Sequence, residues 1–399
     1  MRLLYIAHRI PYPPNKGDKI RSYNEVLFLS KRFEVDLVCF VDGPGDEKHL
    51  AALEKICRTV AGFRRGPLSK AWRMATGFLT GRPLSVALYD DDGLRDKVAR
   101  LIREHDYARI VVFSGQMAQY IPEDRLPRTV LDYCDVDSHK WDNYADRMPF
   151  YAAWFYRLEA RRLFAFENAA SRKALATLFI TRAERDIYER LGGGGNLVIL
   201  GNGVDTAFFA PSDAPREPGR ILFTGAMDYF PNEEGVAWFA REVFPWVRRD
   251  HPSARFVIAG SNPTAKVRAL ARLDGVEVTG FVPDMRAEQA KADIVVVPLR
   301  IARGMQNKVL EAMSCGKAVV VGKAAMGGIS AEHGRDLFVA ETPEEFRASL
   351  RQLLADTLRV ESMGKAARAY ILAHLSWDTN LEEGLIPLLG TAEGTAAAT

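Results

Sequence analysis

The chain has 399 residues, of which 26% are charged, and its formal net charge is only +3. So small a charge gives no general case for nucleic-acid binding, which needs a concentrated basic surface. The four cysteines, at positions 39, 57, 134 and 315, have neither C-x-x-C nor metal-ligand spacing. We therefore expect reduced thiols in a cytoplasmic protein, with no metal site built from cysteine.

No segment contains the roughly 20 apolar residues that span a bilayer. The first apolar run ends at Pro11 and is too short for a signal-peptide core. From these features we expect a protein that is soluble or bound peripherally to a membrane.

Short apolar, β-branched segments alternate with amphipathic helical segments. In the first half the predicted strands are residues 3–7, 35–40, 110–113, 130–132 and 178–181. In the second half they are residues 221–225, 255–260, 276–278, 293–298 and 318–322. Such alternation predicts parallel sheets covered by helices on both faces. The predicted fold class is therefore α/β, with two doubly wound, Rossmann-like domains.

Loop-forming residues separate the two series of strands. Residues 192–195 are all glycine, and residues 211–219 contain Pro, Ser, Asp and Gly. We predict domains at residues 1–201 and 202–375 and a last helix at 376–390. Residues 391–399 are small and polar, and we expect a disordered tail.

The loop at residues 8–21 follows the first predicted strand and leads into the first helix. Parallel sheets bind ligands at the carboxyl ends of their strands, and helix amino ends attract anions. We expect Gly17 to bring backbone amides near a phosphate, and Lys19 or Arg21 to face a phosphate or a second substrate. The alternative is a surface loop with a solvated basic cluster.

Three carboxylates, Asp132, Asp135 and Asp137, lie at the end of the predicted strand at residues 130–132 and just after it. Asp135 is the candidate general base, and Asp137 is a candidate partner for substrate hydroxyls. Both could instead cap a helix or form a turn, since aspartate favours such places. A metal site formed by the two aspartates is a weaker alternative.

Residues 300–316, RIARGMQNKVLEAMSCG, follow the predicted strand at 293–298. We predict a helix that opens at Gly304, so that Lys308 at i+4 and Glu311 at i+7 share its face. Glu311 can accept two hydrogen bonds, which suits a ribose diol. The alternative is that Lys308 and Glu311 form an ordinary exposed ion pair on the helix surface. The predicted phosphate-binding groups are the side chains of Arg303 and Lys308 and the backbone amides of Gly304, Met305 and Gln306.

This segment resembles the donor signature of the GT-B retaining glycosyltransferases of family 4, in which two glutamates are separated by seven residues. Glu311 occupies the second position, and Arg303 stands at the first. Residues 8–21, the NGVD of residues 202–205 and the Ser-Trp at 376–377 are also similar to the family, so the resemblance covers nearly the whole chain. It implies a nucleotide-sugar donor, a saccharide or polyprenyl-linked acceptor, no cofactor or metal, and a last helix that crosses back to the first domain.

The resemblance also implies further site residues. Gly225 lies in the turn where many family members carry an Arg and a Lys on the diphosphate, and neither is present here. Arg300, Arg303 and Lys308 are candidates to supply that charge. Phe281 and Val282 lie in a loop similar to the one that contacts the nucleobase, although a plain turn is an equal alternative. His139 is the histidine nearest to the family's active-site histidine.

Within the family, the chain resembles the sugar transferases of the exosortase and PEP-CTERM system, which implies exopolysaccharide biosynthesis. Aromatic and basic residues mix at 64–89 and 141–172, which suits peripheral contact with the inner face of the cytoplasmic membrane. The alternative is an aromatic core face with a basic edge. Two rival functions stay open: a nonhydrolysing nucleotide-sugar epimerase, and a noncatalytic nucleotide-binding subunit suggested by Arg303.

Overall fold

The computed structural model describes residues 1–41, 43, 45–64, 77, 80–146, 148–302 and 304–390. The predictions for Arg303, for the tail at 391–399 and for much of the aromatic segment at 64–89 fall outside these residues. The chain forms two compact units. Unit 1 comprises Met1–Gly201 together with the chain from Leu381, and unit 2 comprises Asn202–Asn380.

Unit 1 contains a parallel sheet in the order β3-β2-β1-β4-β5-β6-β7. Its strands are β1 (Arg2–Ala7), β2 (Glu34–Val41), β3 (Thr59–Arg64), β4 (Arg109–Phe113), β5 (Thr129–Cys134), β6 (Ala176–Phe179) and β7 (Leu197–Ile199). The central strand β1 is buried from residue 3 to residue 7, because it has a strand on either side and helices above and below.

Two helices of unit 1, at Asp92–Glu104 and Arg182–Arg190, begin after a residue whose side chain caps them. Asp91 accepts a hydrogen bond from Leu94 N, and Thr181 accepts one from Glu184 N. The helices are α1 (Gly17–Ser30), α2 (Leu50–Leu53), α3 (Leu84–Ala87), α4 (Asp92–Glu104), α5 (Asp137–Ala145), α6 (Phe150–Ser171) and α7 (Arg182–Arg190). Short 3-10 segments occur at Glu47–His49, Gly115–Tyr120 and Glu123–Arg128.

Unit 2 contains a parallel sheet in the order β10-β9-β8-β11-β12-β13. Its strands are β8 (Arg220–Thr224), β9 (Arg255–Ala259), β10 (Val276–Gly280), β11 (Ile294–Val297), β12 (Ala318–Gly322) and β13 (Phe338–Ala340). The β-branched strands β11 and β12 are buried at every position, as expected for the interior of a parallel sheet.

The helices of unit 2 cover both faces of this sheet. They are α8 (Phe230–Trp238), α9 (Phe244–Asp250), α10 (Ala265–Ala269), α11 (Met285–Lys291), α12 (Asn307–Ser314), α13 (Pro343–Leu354) and α14 (Thr357–His374). A π-helical turn lies at Phe239–Val243, and 3-10 turns lie at Leu270–Arg272 and Lys323–Met326. α15 (Trp377–Gly384) begins in unit 2 and ends in unit 1, where α16 (Ile386–Leu389) follows.

The α/β class and the two doubly wound, parallel sheets are confirmed. In each sheet the strand order reverses beside the first strand, between β1 and β4 in unit 1 and between β8 and β11 in unit 2. Such switch points open the crevice in which this kind of sheet binds ligands. Among the helices described, none is both long enough and apolar enough to cross a membrane.

Candidate active site

The strands β8, β9 and β10 end at or just before a glycine, and these glycines bring the backbones together. Gly225 N donates to Ala259 O at 3.1 Å, and Gly260 N donates to Gly280 O at 3.0 Å. A Cβ on Gly260 would lie 1.7 Å from Gly225 O, so position 260 requires glycine. The predicted residue Gly225 therefore lies at the ligand-binding edge of the sheet, beside the switch point of unit 2.

The helix after β11 starts later than predicted. α12 begins at Asn307, and Gly304 lies in the preceding loop with a positive φ of 64°. The prediction that Gly304 opens the helix is wrong, because a left-handed residue does not continue a right-handed helix. The helix amides that lack an intrahelical partner belong to Asn307 and Lys308. Gly304, Met305 and Gln306 instead form the loop that leads to them.

Lys308 lies where the turn after β8 meets the amino ends of α8 and α12. Its Nζ donates to Asn232 Oδ1 and lies 4.6 Å from the centre of the Phe223 ring. Asn232 Nδ2 donates in turn to Ala226 O at 2.8 Å. A Cβ added to Gly225 would lie 3.0 Å from Lys308 Nζ. The absence of a side chain at Gly225 therefore leaves the ammonium its space.

Burial changes the acidity of both charged residues on α12. Desolvation lowers the pKa of Lys308 to about 8, opposed by the charge of Glu311. Desolvation raises the pKa of Glu311 to about 7, opposed by the charge of Lys308. Within the described chain no group donates a hydrogen bond to the Glu311 carboxylate. A ligand that brings an anion to Lys308 and hydroxyl donors to Glu311 would stabilise both charged forms.

The opposite face of α12 packs as the sequence predicted. Val309, Leu310 and Met313 are fully buried in the core of unit 2. This packing fixes the rotation of the helix, so Lys308 and Glu311, three residues apart, share the other face.

The loop predicted to contact a nucleobase follows β10. Gly280 has a φ of 72°, Phe281 is 74% exposed, and the partly buried Val282 packs against the core. Asp284 caps α11 by accepting from Arg286 N at 3.0 Å. The exposed Phe281 ring and the backbone around it are therefore accessible to a flat ligand, and their role in binding a base stays a prediction.

The predicted residues of the amino-terminal loop differ in exposure. Gly17 opens α1, and a Cβ there would meet no atom within 4 Å, so space alone does not require glycine. Lys19 is 5% exposed, and its Nζ lies 4.0 Å from Asp46 Oδ2. The lysine is therefore largely covered, which disfavours the predicted contact with an acceptor.

Arg21 belongs to a buried charged cluster that the sequence did not reveal. Its Nε lies 2.6 Å from Asp132 Oδ2 and 3.0 Å from Glu25 Oε1, and its Nη1 donates to Leu200 O at 2.7 Å. Tyr5 completes the group by donating to Glu25 at 2.7 Å. Because Arg21 is only 1% exposed, it cannot reach an acceptor, and we reassign it from acceptor binding to the core of unit 1.

Asp135 and Asp137 lie together at the start of α5. Lys140 Nζ is 2.9 Å from Asp135 Oδ2 and 2.9 Å from Asp137 Oδ1. Gln116 Nε2 donates to Asp137 Oδ2 at 2.8 Å. Both carboxylates are thus paired with the same cation. Asp135 as catalytic base and Asp137 as acceptor ligand stay predictions.

His139 follows on the same helix and is partly buried. The preceding residue, Ser138, donates through its Oγ to Glu167 Oε2 at 2.7 Å, and burial raises the pKa of Glu167 to about 8. The sequence did not single out Glu167, because it lies near the end of α6, far along the chain from the aspartates.

The structure thus brings Gly225, Lys308 and Glu311 together in unit 2, and Asp135, Asp137 and His139 together in unit 1. Sequence reasoning missed Asn232, which holds the Lys308 ammonium. The available signal was its place in the turn after β8, where the family's usual basic residues are absent.

Comparisons with known proteins agree with this architecture. Residues 218–356 match the family model described as glycosyl transferases group 1. The GDP-mannose-dependent alpha-(1-6)-phosphatidylinositol monomannoside mannosyltransferase of Mycobacterium tuberculosis is 24% identical over 335 residues, covering 76% of this chain and 82% of the relative. A Klebsiella pneumoniae protein of the cps region is 22% identical over 360 residues, covering 85% and 87%.

Among solved structures, that of Anabaena HepE in complex with UDP has a TM-score of 0.65 at 16% identity and covers 96% of this chain and 98% of that one. The predicted GT-B architecture and the predicted enzyme class are confirmed. Residues 218–356 are a glycosyl transferases group 1 domain, and the chain is a glycosyltransferase with the GT-B fold.

Proposed function

We propose that this enzyme transfers a sugar to a saccharide or polyprenyl-linked acceptor with retention of anomeric configuration. The observation that carries the proposal is the cluster of Gly225, Lys308 and Glu311 at the switch point of unit 2. Lys308 and the first-turn amides of α12 suit a diphosphate. The Glu311 carboxylate suits two ribose hydroxyls. The UDP in the HepE structure supports a nucleotide ligand for this architecture.

In the proposed reaction, the bond between the anomeric carbon and the diphosphate oxygen breaks, and the acceptor oxygen bonds to the same face of that carbon. The acceptor proton passes to the leaving diphosphate oxygen, so the step balances without a protein base. Negative charge grows on the diphosphate, and a preorganised ammonium and helix amides stabilise such charge. Among the residues that the structure describes, Lys308 is the candidate for this stabilisation. Arg303 stays a predicted second cation. Asp135 stays the candidate if a protein base assists the acceptor.

Two relatives support a role in the synthesis of cell-surface glycans. One is named as a mannosyltransferase that acts on phosphatidylinositol monomannoside, and the other comes from a cps region. We therefore place this chain in exopolysaccharide or related cell-surface glycan biosynthesis, in agreement with its resemblance to the exosortase-associated transferases.

The amino half of α6 supports contact with the cytoplasmic face of a membrane. Phe150, Tyr151 and Trp154 are 89%, 67% and 55% exposed. Arg157 and Arg161 are also exposed and continue the same stripe along the helix. Aromatic side chains next to arginines suit the interface of an anionic bilayer, where a polyprenyl-linked acceptor would be held.

Vesicle flotation tests the membrane contact. We expect the wild-type protein to float with vesicles of anionic phospholipid, and the double variant Phe150→Ser/Trp154→Ser to stay in the soluble fraction. Trp246→Ser is the matched control, since Trp246 is 46% exposed in unit 2. Equal flotation of the wild type and the double variant would reject this surface.

The transfer itself is tested with a panel of UDP-, GDP-, ADP- and TDP-sugars and a lipid-linked saccharide acceptor. We expect acceptor-dependent release of one nucleotide, and proton NMR of the product should show the anomeric configuration of the donor. Glu311→Ala should reduce turnover at subsaturating donor at least tenfold, while Glu242→Ala, at an exposed glutamate of unit 2, should not.

Other outcomes of this assay identify the rival functions. An inverted product would reject retention. An altered nucleotide sugar formed without acceptor would identify an epimerase. Tight nucleotide binding without turnover of any donor would favour a noncatalytic subunit.

A further inference from the structure

Unit 2 contains a cavity of about 550 Å³ beyond the carboxyl ends of β11, β12 and β13. Its lining does not include Gly225, Lys308 or Glu311. The apolar part of its wall comes from Leu299, Ala340 and Phe346, among others, and its polar part comes from residues of α8 and of the loops after the three strands. The volume lies within the range of about 300–1,000 Å³ that is typical of small-molecule sites.

The floor of the cavity is set by close approach of two strand ends. A Cβ on Gly322 would lie 2.5 Å from Leu299 O. Position 322 therefore requires glycine, and the backbone after β11 lies directly against the end of β12. This part of the cavity wall is therefore formed by closely packed backbone.

The charged groups at the cavity are paired with each other. Arg300 Nη1 is 3.0 Å from Glu234 Oε1, and Lys323 Nζ is 3.0 Å from Glu341 Oε2. Arg300 also lies over the Trp238 ring, 5.6 Å from its centre. Two cations and two carboxylates sum to zero, so the lining attracts neither a phosphate nor a metal ion by net charge. Arg300 therefore lines this cavity, although the sequence had suggested that it binds the diphosphate.

One carboxylate oxygen of the lining has no hydrogen-bond donor among the described residues. Glu234 Oε2 is buried and accepts no hydrogen bond from the described residues. An unpaired buried acceptor is unfavourable, and a ligand with hydroxyl donors would satisfy it. Glu234 lines the cavity, and the terminal torsion of a glutamate is broad, so this carboxylate can reorient toward a ligand.

We propose that this cavity is a second carbohydrate site, separate from the nucleotide cluster, that holds one neutral sugar unit of a saccharide. A pyranose has an apolar face that suits Leu299 and Phe346, and hydroxyls that suit the free oxygen of Glu234 and the exposed Arg300 and Lys323. An uncharged polyol matches the neutral lining, whereas an anion or a cation does not.

Saturation-transfer NMR tests the proposal on the full chain with millimolar D-glucose, D-mannose and D-galactose as probes. We expect transfer to at least one sugar, reduced fivefold or more by Glu234→Leu, which removes the acceptor at similar volume. Ala324→Trp should have the same effect by filling the cavity from an exposed position. Glu242→Ala is the control at an exposed glutamate outside the cavity.

Glu311→Ala separates this proposal from the proposed function. Sugar signals that survive Glu311→Ala but are lost in both cavity variants support a second site, and Ala324→Trp should keep its nucleotide affinity. Absence of transfer to all three sugars would overturn the proposal, as would signals that persist in both cavity variants. Sugar signals abolished by inorganic phosphate would also overturn it, because they would show an anion site.

Discussion

Both units hold charged side chains near the carboxyl ends of their central strands, but the charges are satisfied differently. In unit 1, Arg21 is 2.6 Å from Asp132 and 3.0 Å from Glu25, and all three are buried. In unit 2, the Lys308 ammonium is held by the neutral Asn232, and Glu311 has no hydrogen-bond donor among the described residues. A buried charge with protein partners supports the fold, whereas one without them is suited to a ligand.

The acidities of the two cations follow the same division. Asp132 and Glu25 raise the pKa of Arg21 and so favour its charged form. Lys308 and Glu311 are each shifted toward the neutral form, because desolvation outweighs their mutual attraction. Unit 1 thus supplies the counter-charge for its buried cation, whereas in unit 2 we propose that a bound nucleotide does so.

The largest effect is expected from removing the cation of the unit 1 cluster formed by Arg21, Asp132 and Glu25. Arg21→Met would leave the buried Asp132 carboxylate without its cation, and we expect a loss of roughly 3–5 kcal/mol in the free energy of unfolding. Urea unfolding followed by circular dichroism measures it. The control Lys173→Met removes an exposed pair with Glu123 and should change stability by less than about 1 kcal/mol. Equal effects of the two variants would contradict a structural role for Arg21.

A smaller effect is expected from adding a side chain at Gly225, in the unit 2 cluster that also contains Lys308 and Glu311. In Gly225→Ala the new Cβ would lie 2.7 Å from Asn232 Nδ2 and 3.0 Å from Lys308 Nζ. We expect displacement of the ammonium and a loss of at least tenfold in nucleotide affinity, or about 1.4 kcal/mol. The control Gly45→Ala places its Cβ in open space. Unchanged affinity in Gly225→Ala would separate this glycine from the donor site.

Glu311→Gln should weaken nucleotide binding and yet stabilise the free protein. Burial raises the pKa of Glu311 from 4.5 to about 7, so the folded state holds a proton that the unfolded state has lost between these values. Wild-type stability therefore falls as pH rises through this window, and the amide variant avoids the fall. We expect a gain on the order of 1 kcal/mol at pH 8 and none at pH 4. Thermal melts at both values measure it, and a variant less stable at pH 8 would contradict the assigned pKa.

The smallest effect is the pH dependence of nucleotide binding. Lys308 loses its charge above about pH 8, and Glu311 loses its charge below about pH 7, so affinity should be greatest between these values. Calorimetric titrations from pH 6 to pH 9 should show a decrease of several-fold on either side. Lys308→Arg should remove the alkaline decrease, because arginine stays charged throughout this range. An alkaline decrease that persists in this variant would assign it to another group.

The sequence predicted the interior of both sheets and missed three of their four edge strands. Strands such as residues 318–322 are apolar runs buried on both faces, which makes them visible in the sequence. β3, β7 and β13 were not predicted, and each lies at the edge of its sheet. Edge strands have one open side, and β7 and β13 have only three residues each. Their apolar signal is therefore too short to recognise.

The candidate site was predictable where it depends on local spacing. Lys308 and Glu311 share a face of α12 because they are three residues apart, and that part of the prediction did not depend on where the helix begins. The place of Arg21 was not predictable, because its partner Asp132 is 111 residues away in the chain. The same holds for Asn232, which is 76 residues from Lys308.

The central claim is that the cluster of Gly225, Lys308 and Glu311 in unit 2 binds the nucleotide of the donor. Calorimetric titration of UDP, GDP, ADP and TDP into the wild type, Glu311→Ala and the exposed control Glu242→Ala tests it most directly. The account predicts that one nucleotide binds selectively, that Glu311→Ala weakens it at least tenfold, or by about 1.4 kcal/mol, and that Glu242→Ala has no effect. Binding of no nucleotide, or equal binding by the wild type and Glu311→Ala, would contradict it.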